Sequence, residues 1–153
     1  MRIDRASRRI KAPADRIYRA LTDREAVQSW LPPAGARGEI EAFDPTPGGA
    51  FRMTLVFDTA GDTGRRKSSA NTDVVDGEFL RLVPERLVQQ RFTFRSADPA
   101  FAGAMVMTWS LTAVNGATEV EVSAEGVPPG ISPDDHTRGM ASSLENLAHY
   151  VRG

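Results

Sequence analysis

Gly130 to Val151 reads GISPDDHTRGMASSLENLAHYV, and this stretch sets the architecture expected of the whole chain. It opens like a helix start. Ser132 suits a cap, Pro133 the first helical position, and Asp134 and Asp135 put negative charge beside the first turn's free N–H groups. His136, Met140, Leu144, Leu147 and Val151 then recur at a helical spacing and share one side. Arg138, Ser142, Glu145, His149 and Arg152 fall on the other. At about 1.5 Å per residue the helix spans roughly 30 Å. An apolar stripe of that length needs a surface to lie on.

The rest of the chain supplies one. Between Gly38 and Glu125 the period changes to two. Phe51, Met53, Leu55 and Phe57 alternate with Arg52, Thr54 and Val56. Val88, Phe92 and Phe94 alternate with Gln89, Arg91, Thr93 and Arg95. Met105, Met107, Trp109 and Leu111 alternate with Val106, Thr108 and Ser110, and Val120 and Val122 with Glu119, Glu121 and Ser123. Such alternation marks antiparallel strands with one dry face and one wet face. A further strand is expected over Thr72–Val83, with a bulge at Asp76–Gly77, and a short one over Glu39–Phe43. Turn chemistry separates them at Asp44–Gly49, Ala60–Gly64, Pro84–Glu85 and Asn115–Gly116.

Ahead of the strands, Ile3–Lys11 reads as an arginine-rich edge strand with Ala6 and Ile10 on one face. Pro13 starts a helix that turns Ile17, Ala20 and Leu21 to one side. Thr22–Asp23 caps a second helix, Arg24–Leu31, which Pro32–Pro33 ends. The expected fold class is α+β: a curved antiparallel sheet of six or seven strands, two short helices after the first strand, and a long C-terminal helix across the sheet.

Composition narrows the function classes. The chain has 153 residues, 41 % apolar and 25 % charged, which suits one domain over residues 1–153 of a soluble globular protein. A net charge of −1 gives no overall field toward nucleic acid or an anionic membrane. With no cysteine there is no disulfide, thiolate nucleophile or Cys-ligated metal. The N-terminus MRIDRASRRIKAP lacks the apolar core of a signal peptide, and no apolar run reaches the ~20 residues of a membrane span, so the expected location is the cytoplasm.

Several motifs together resemble a known superfamily. They are APADRIYRALTD at 12–23, WLPP at 30–33, FDP at 43–45, GGAFRM at 48–53, TDVV at 72–75 and GEF at 77–79, followed by MTWSLT at 107–112, DHTRG at 135–139 and SLENLA at 143–148. In this order they resemble the helix-grip (START-type, SRPBCC) superfamily with its polyketide-cyclase-like and pollen-allergen-like domains. Within it, the chain is most similar to bacterial single-domain relatives of the C-terminal domain of the heat-shock-chaperone ATPase activator. The resemblance implies a curved sheet gripping the last helix, often with a cavity between them. It implies no common catalytic set. Relatives often carry Trp after the His-x-x-Gly of the long helix, where this chain has Met140.

The candidate cavity lining is Trp30, Met53, Leu55, Phe92, Met107, Trp109, Met140 and Leu144, joined by His136 and Ser143 on the helix. By periodicity alone the apolar members read as plain core, and it is the resemblance that sets a ligand-sized void beside that reading. Four of the five methionines lie on proposed inward faces or the helix stripe, and methionine walls adapt to varied shapes. Gly139, inside a helix at a cost of about 1 kcal/mol against Ala, leaves room beside His136 and Ser143. His136 is the histidine on the inward stripe, suited to holding a ligand carbonyl, to acid–base work, or to a structural hydrogen bond. No partner acid or nucleophile stands beside it in sequence, so no catalytic residue is assigned.

No metal site and no cofactor is expected. Arg65–Lys67 reads as a solvated hairpin tip, and Gly48–Gly49 as a turn without a phosphate loop's lysine and helix. The expected function is binding of a small hydrophobic or amphipathic ligand between the last helix and the sheet. The rivals are a cyclase- or hydrolase-type enzyme with His136 as acid–base, and a chaperone-activator-like interaction module. The partner expected is the small ligand, with neither nucleic acid nor membrane. A homodimer through an edge strand stays open, and nothing in the residues supports a chaperone partner.

Overall fold

The computed structural model describes residues 2–33, 35–57 and 72–152. The turn expected at Ala60–Gly64 and the basic tip Arg65–Lys67 lie outside the described residues.

The elements run β1 (Ile3–Ile10), α1 (Ala14–Thr22), α2 (Arg24–Trp30), β2 (Ala36–Phe43), β3 (Ala50–Phe57), β4 (Thr72–Val83), β5 (Leu87–Phe94), β6 (Met105–Val114), β7 (Ala117–Glu125) and α3 (Pro133–Arg152). Among the described residues seven strands form one curved sheet in the order β1-β7-β6-β5-β4-β3-β2. All neighbours are antiparallel. Strands β2 to β7 are therefore a plain meander. β1 closes onto β7 as an edge, the place its arginines suit.

Local chemistry sets the boundaries. Asn115 (φ 43°) and Gly116 (φ 79°) join β6 to β7. Two successive positive φ values twist a two-residue turn to match the strands, which favours Asn-Gly. Asp23 accepts a hydrogen bond from the Ala26 N–H at 2.9 Å and caps α2. Pro13 stands at the N-cap of α1, one position before the first helical residue expected for it. In α3, Pro133 is the first helical residue, and Ser132 Oγ accepts from the Asp135 N–H at 3.3 Å.

α3 lies across the concave face with the expected side inward. Leu144, Leu147, Ala148 and Val151 are buried with Ile10, Ile17, Val120 and Val122. Arg138, Glu145, His149 and Arg152 stay exposed. Its 20 residues leave the sheet no bare apolar face along its C-terminal half.

Two local expectations need correction, and one element carries no signal in the sequence. β2 begins at Ala36 rather than Glu39, because pairing with β3 extends it through Arg37 and Gly38, where alternation gives no signal. A single 3₁₀ turn at Pro99–Phe101, capped by Asp98, interrupts the β5–β6 connection. Asp76–Gly77 is no bulge: Gly77 pairs regularly with Phe51 and Phe92, and the register slips between Phe79 and Arg81. The glycine answers to packing instead. A Cβ there would lie 2.3 Å from the Arg91 carbonyl oxygen and 2.6 Å from the Phe92 ring.

Gly77→Ala should therefore destabilise the fold by about 1–3 kcal/mol, the usual cost of overpacking, because a backbone oxygen is among the atoms that must move. Urea unfolding should show a lower midpoint at unchanged slope. An unchanged midpoint would contradict the close approach.

Candidate functional site

The sheet's curvature and the sequence of α3 together leave a space. Along β3 to β6 most inward positions that face the space carry large apolar side chains, with Asp73 on β4 an acidic exception. The N-terminal half of α3 opposes them with His136, Gly139 and Ser143, small or polar residues that cannot fill the gap as leucines do further along. Between them lies a cavity of about 770 Å³. Leu31, Pro33, Phe101 and Ile131 also line it.

Eight of the ten residues expected around such a cavity border it: Met53, Leu55, Phe92, Met107, Trp109, His136, Met140 and Ser143. Trp30 and Leu144 do not. Trp30 is buried behind the wall, edge-on to Trp109 with ring centroids 5.2 Å apart, and its indole N–H donates to the Ala20 carbonyl at 2.8 Å. That bond orients the ring into the core between α1 and the sheet. Leu144 lies one turn deeper on α3, in the packed core. Ser143 borders the space, but its hydroxyl donates to the Leu31 carbonyl at 2.7 Å. With Asn146 Nδ2 donating to the Pro32 carbonyl at 2.9 Å, it ties α3 to the end of α2.

Met53, Met105, Met107 and Met140 all border the cavity. Four thioethers with flexible stems make a wall that changes shape at low cost. At Gly139 a Cβ would meet nothing within 4 Å, so the glycine faces open space.

The polar chemistry is concentrated at His136. Its Nδ1 lies 2.8 Å from Asp4 Oδ2, joining residues 132 positions apart in sequence. Arg2 clamps the same carboxylate with two hydrogen bonds, Nε to Oδ1 at 3.1 Å and Nη2 to Oδ2 at 2.8 Å. Only 5 % of the Asp4 side chain is exposed, so this carboxylate depends on its partners. The Arg2 hydrogen bonds lower its pKa, burial works against them, and His136 adds to the lowering; the net direction is down. An ionised carboxylate only accepts, so Nδ1 is the nitrogen that carries a proton and donates.

Asp4, Asp73, Phe101 and Met105 are site residues that sequence reading did not single out. Asp4 shares its inward parity with Ala6 and Ile10, so the signal existed, masked by the arginines around it. Asp73 follows the same rule on β4, in step with Val75, and is 3 % exposed on the cavity wall. Phe101 depends on the 3₁₀ turn, which has no periodic signal.

A helix gripped by a curved seven-stranded sheet around an internal cavity defines a helix-grip domain. The family model for Activator of Hsp90 ATPase homolog 1-like proteins matches residues 11–152, and the chain belongs to that family. None of the curated proteins matches the chain. Among solved structures it is similar to protein CV1439 from Chromobacterium violaceum, at 28 % identity and TM-score 0.86 over 99 % of this chain and 97 % of that one. Protein MLL2253 from Mesorhizobium loti shares the fold at 23 % identity and TM-score 0.73, covering 99 % and 97 % of the two chains. DynU16, a protein in the dynemicin biosynthetic locus, shares it at 23 % identity and TM-score 0.69, over 98 % of this chain and 47 % of that one. Among the described residues no helix is long and apolar enough to cross a membrane.

The Asp4 cluster carries a pH signature. A carboxylate with a lowered folded-state pKa contributes fully above its ordinary value of about 3.8 and loses that contribution as pH falls below it. Asp4→Asn should cost about 1.5–3 kcal/mol at neutral pH. Its deficit against wild type should shrink as pH drops through 3.8 toward the folded-state value. Asp76 is also lowered, by Arg52 and Arg95 against the effect of burial, but it is common to both proteins and cancels in the difference. A deficit independent of pH across this window would count against the clamp.

Proposed function

We propose that this protein binds a small hydrophobic or amphipathic molecule in the cavity between α3 and the concave face of the sheet. The observation that carries this reading is the apolar-walled space of about 770 Å³. It falls within the roughly 300–1,000 Å³ of small-molecule sites. Protein interiors otherwise pack to crystal-like density, and an apolar wall offers water few partners, so a space this large favours an apolar occupant. The adaptable methionines and the open side of Gly139 suit a pocket better than a seal.

A second reading, acid–base chemistry on the bound molecule, is favoured by the oriented pair Asp4–His136. Proton transfer needs an imidazole held in one tautomer beside the reacting group, and the carboxylate holds it. Turnover surviving His136→Ala undiminished would sink this reading.

Binding is tested by native mass spectrometry of gently purified protein, followed by thermal-shift screening of a lipophilic library. Co-purified mass or a raised Tm is the expected result. Gly139→Ala should keep binding and gain about 1 kcal/mol of stability from helix propensity, since its methyl group enters open space. Gly139→Phe should fold yet lose the ligand-induced shift, because its ring occupies the cavity. A wild-type protein that carries nothing and responds to no member of the library would overturn the proposal.

A further inference from the structure

We propose that Arg138 makes the cavity selective for apolar molecules that end in one carboxylate, with the apolar body inside and the charged end held at the mouth by the guanidinium. The inference rests on the cavity reading and adds the chemical class of the ligand.

Exposure locates the mouth. Most residues that border the cavity are buried or half-buried. Among the described residues that border it, those exposed to solvent are Ser132, Asp135 and Arg138, all at the start of α3. Beside Arg138 a Cβ on Gly139 would meet nothing within 4 Å, so the space there is open. An amphipathic ligand buries its apolar part along Phe92, Met107 and Trp109 and leaves its charged end at this mouth. A charge drawn further in would lose its hydration against an apolar wall.

The groups at the mouth decide the sign of that end. Among the described residues bordering the cavity, Arg138 is the only lysine or arginine. Its ion-pair partner is Asp135, three positions back on the same helix. Both side chains are largely exposed, 75 % for Arg138 and 66 % for Asp135, so the pair is weak and its long cationic arm changes partners at low cost. A ligand carboxylate that replaces Asp135 keeps the guanidinium paired, through a fork of N–H donors that matches its two oxygens. Asp135 then returns to water in the first turn of α3, where the helix's free N–H groups favour its charge. A cationic end fares worse, because it gains Asp135 only by displacing Arg138 and meets the positive end of the helix. Asp73 and His136 also border the space, and each is engaged by interactions of its own, His136 with Asp4 among them. Selection at the mouth falls to Arg138.

The test compares decanoate, decanol and decylamine, which share a ten-carbon chain, by isothermal titration at neutral pH below their micelle concentrations. Wild type should bind decanoate about fivefold more tightly than decanol, the upper end for an exposed ion pair, and decylamine most weakly. The advantage of decanoate should shrink as salt rises. Arg138→Gln should bind decanol as wild type does and lose the decanoate advantage, while Arg138→Lys, a point charge without the fork, should keep part of it. Asp135→Asn should raise decanoate affinity by removing the competing carboxylate, a gain that a purely structural role for the pair would not produce. Gly139→Phe should abolish binding of all three, as expected of tails inside the cavity. Binding without preference for decanoate, a preference that survives Arg138→Gln, or binding that survives Gly139→Phe overturns the inference. Loss of the preference alone leaves the cavity reading intact. Failure of all three probes also overturns the inference, and together with a silent lipophilic library it overturns the cavity reading as well.

Discussion

The structure depends on one constraint: a single long helix must be covered along its whole inward side by one curved sheet. Along its C-terminal half, Leu144, Leu147, Ala148 and Val151 meet Ile10, Ile17 and the β7 valines, and the interface closes. Each of those aliphatic side chains contributes on the order of 1.5–3 kcal/mol by leaving water. Along the N-terminal half the same sheet meets an imidazole, a glycine and a serine, with Met140 the one large apolar side chain among them. No rotamer of these fills the distance set by the closed half. The cavity follows from a rigid helix whose two halves carry different side chains.

Keeping the helix in place over an unfilled space requires ties other than packing. Ser143 and Asn146 bond to the carbonyls of Leu31 and Pro32, so α2 and its proline exit anchor the middle of the helix. At the far end Asp4 holds His136, so an edge strand anchors the first turn. Polar ties suit this half because each is satisfied without occupying the cavity. They also explain why two of the polar groups nearest the space, Ser143 and His136, are fixed in orientation.

The parts of this arrangement legible in sequence are those with a period. The stripe of α3, the alternation of β3, β5, β6 and β7, and the Asn115–Gly116 hairpin depend on neighbours within a few residues, and chain geometry alone reveals them. Resemblance to a known superfamily then supplied the curvature and the space between the layers. Four features resisted. The slip between Phe79 and Arg81 and the early start of β2 are settled by the partner strand, which periodicity does not contain. Trp30 has the composition of a cavity wall but belongs to the core, because a hydrogen bond to Ala20 turns it there. The clamp joins Asp4 to His136 across nearly the whole chain, and the inward parity that Asp4 shares with Ala6 and Ile10 is masked by the arginines around it.

That last case shows how the edge strand serves both structure and site. Arginines on β1 suit its exposed face, yet Arg2 sits two residues from Asp4 and bonds the carboxylate from just ahead of the strand. Without Arg2, a carboxylate this deeply buried would tend to take up a proton, and a protonated acid could donate to His136 rather than accept from it. The imidazole would then present the opposite tautomer to the cavity. The guanidinium therefore acts on the site through two intermediaries, fixing the charge of Asp4 and, through it, the nitrogen of His136 that donates. An architecture recognisable from apolar periodicity thus has its polar chemistry set by one ion pair at the start of its first strand.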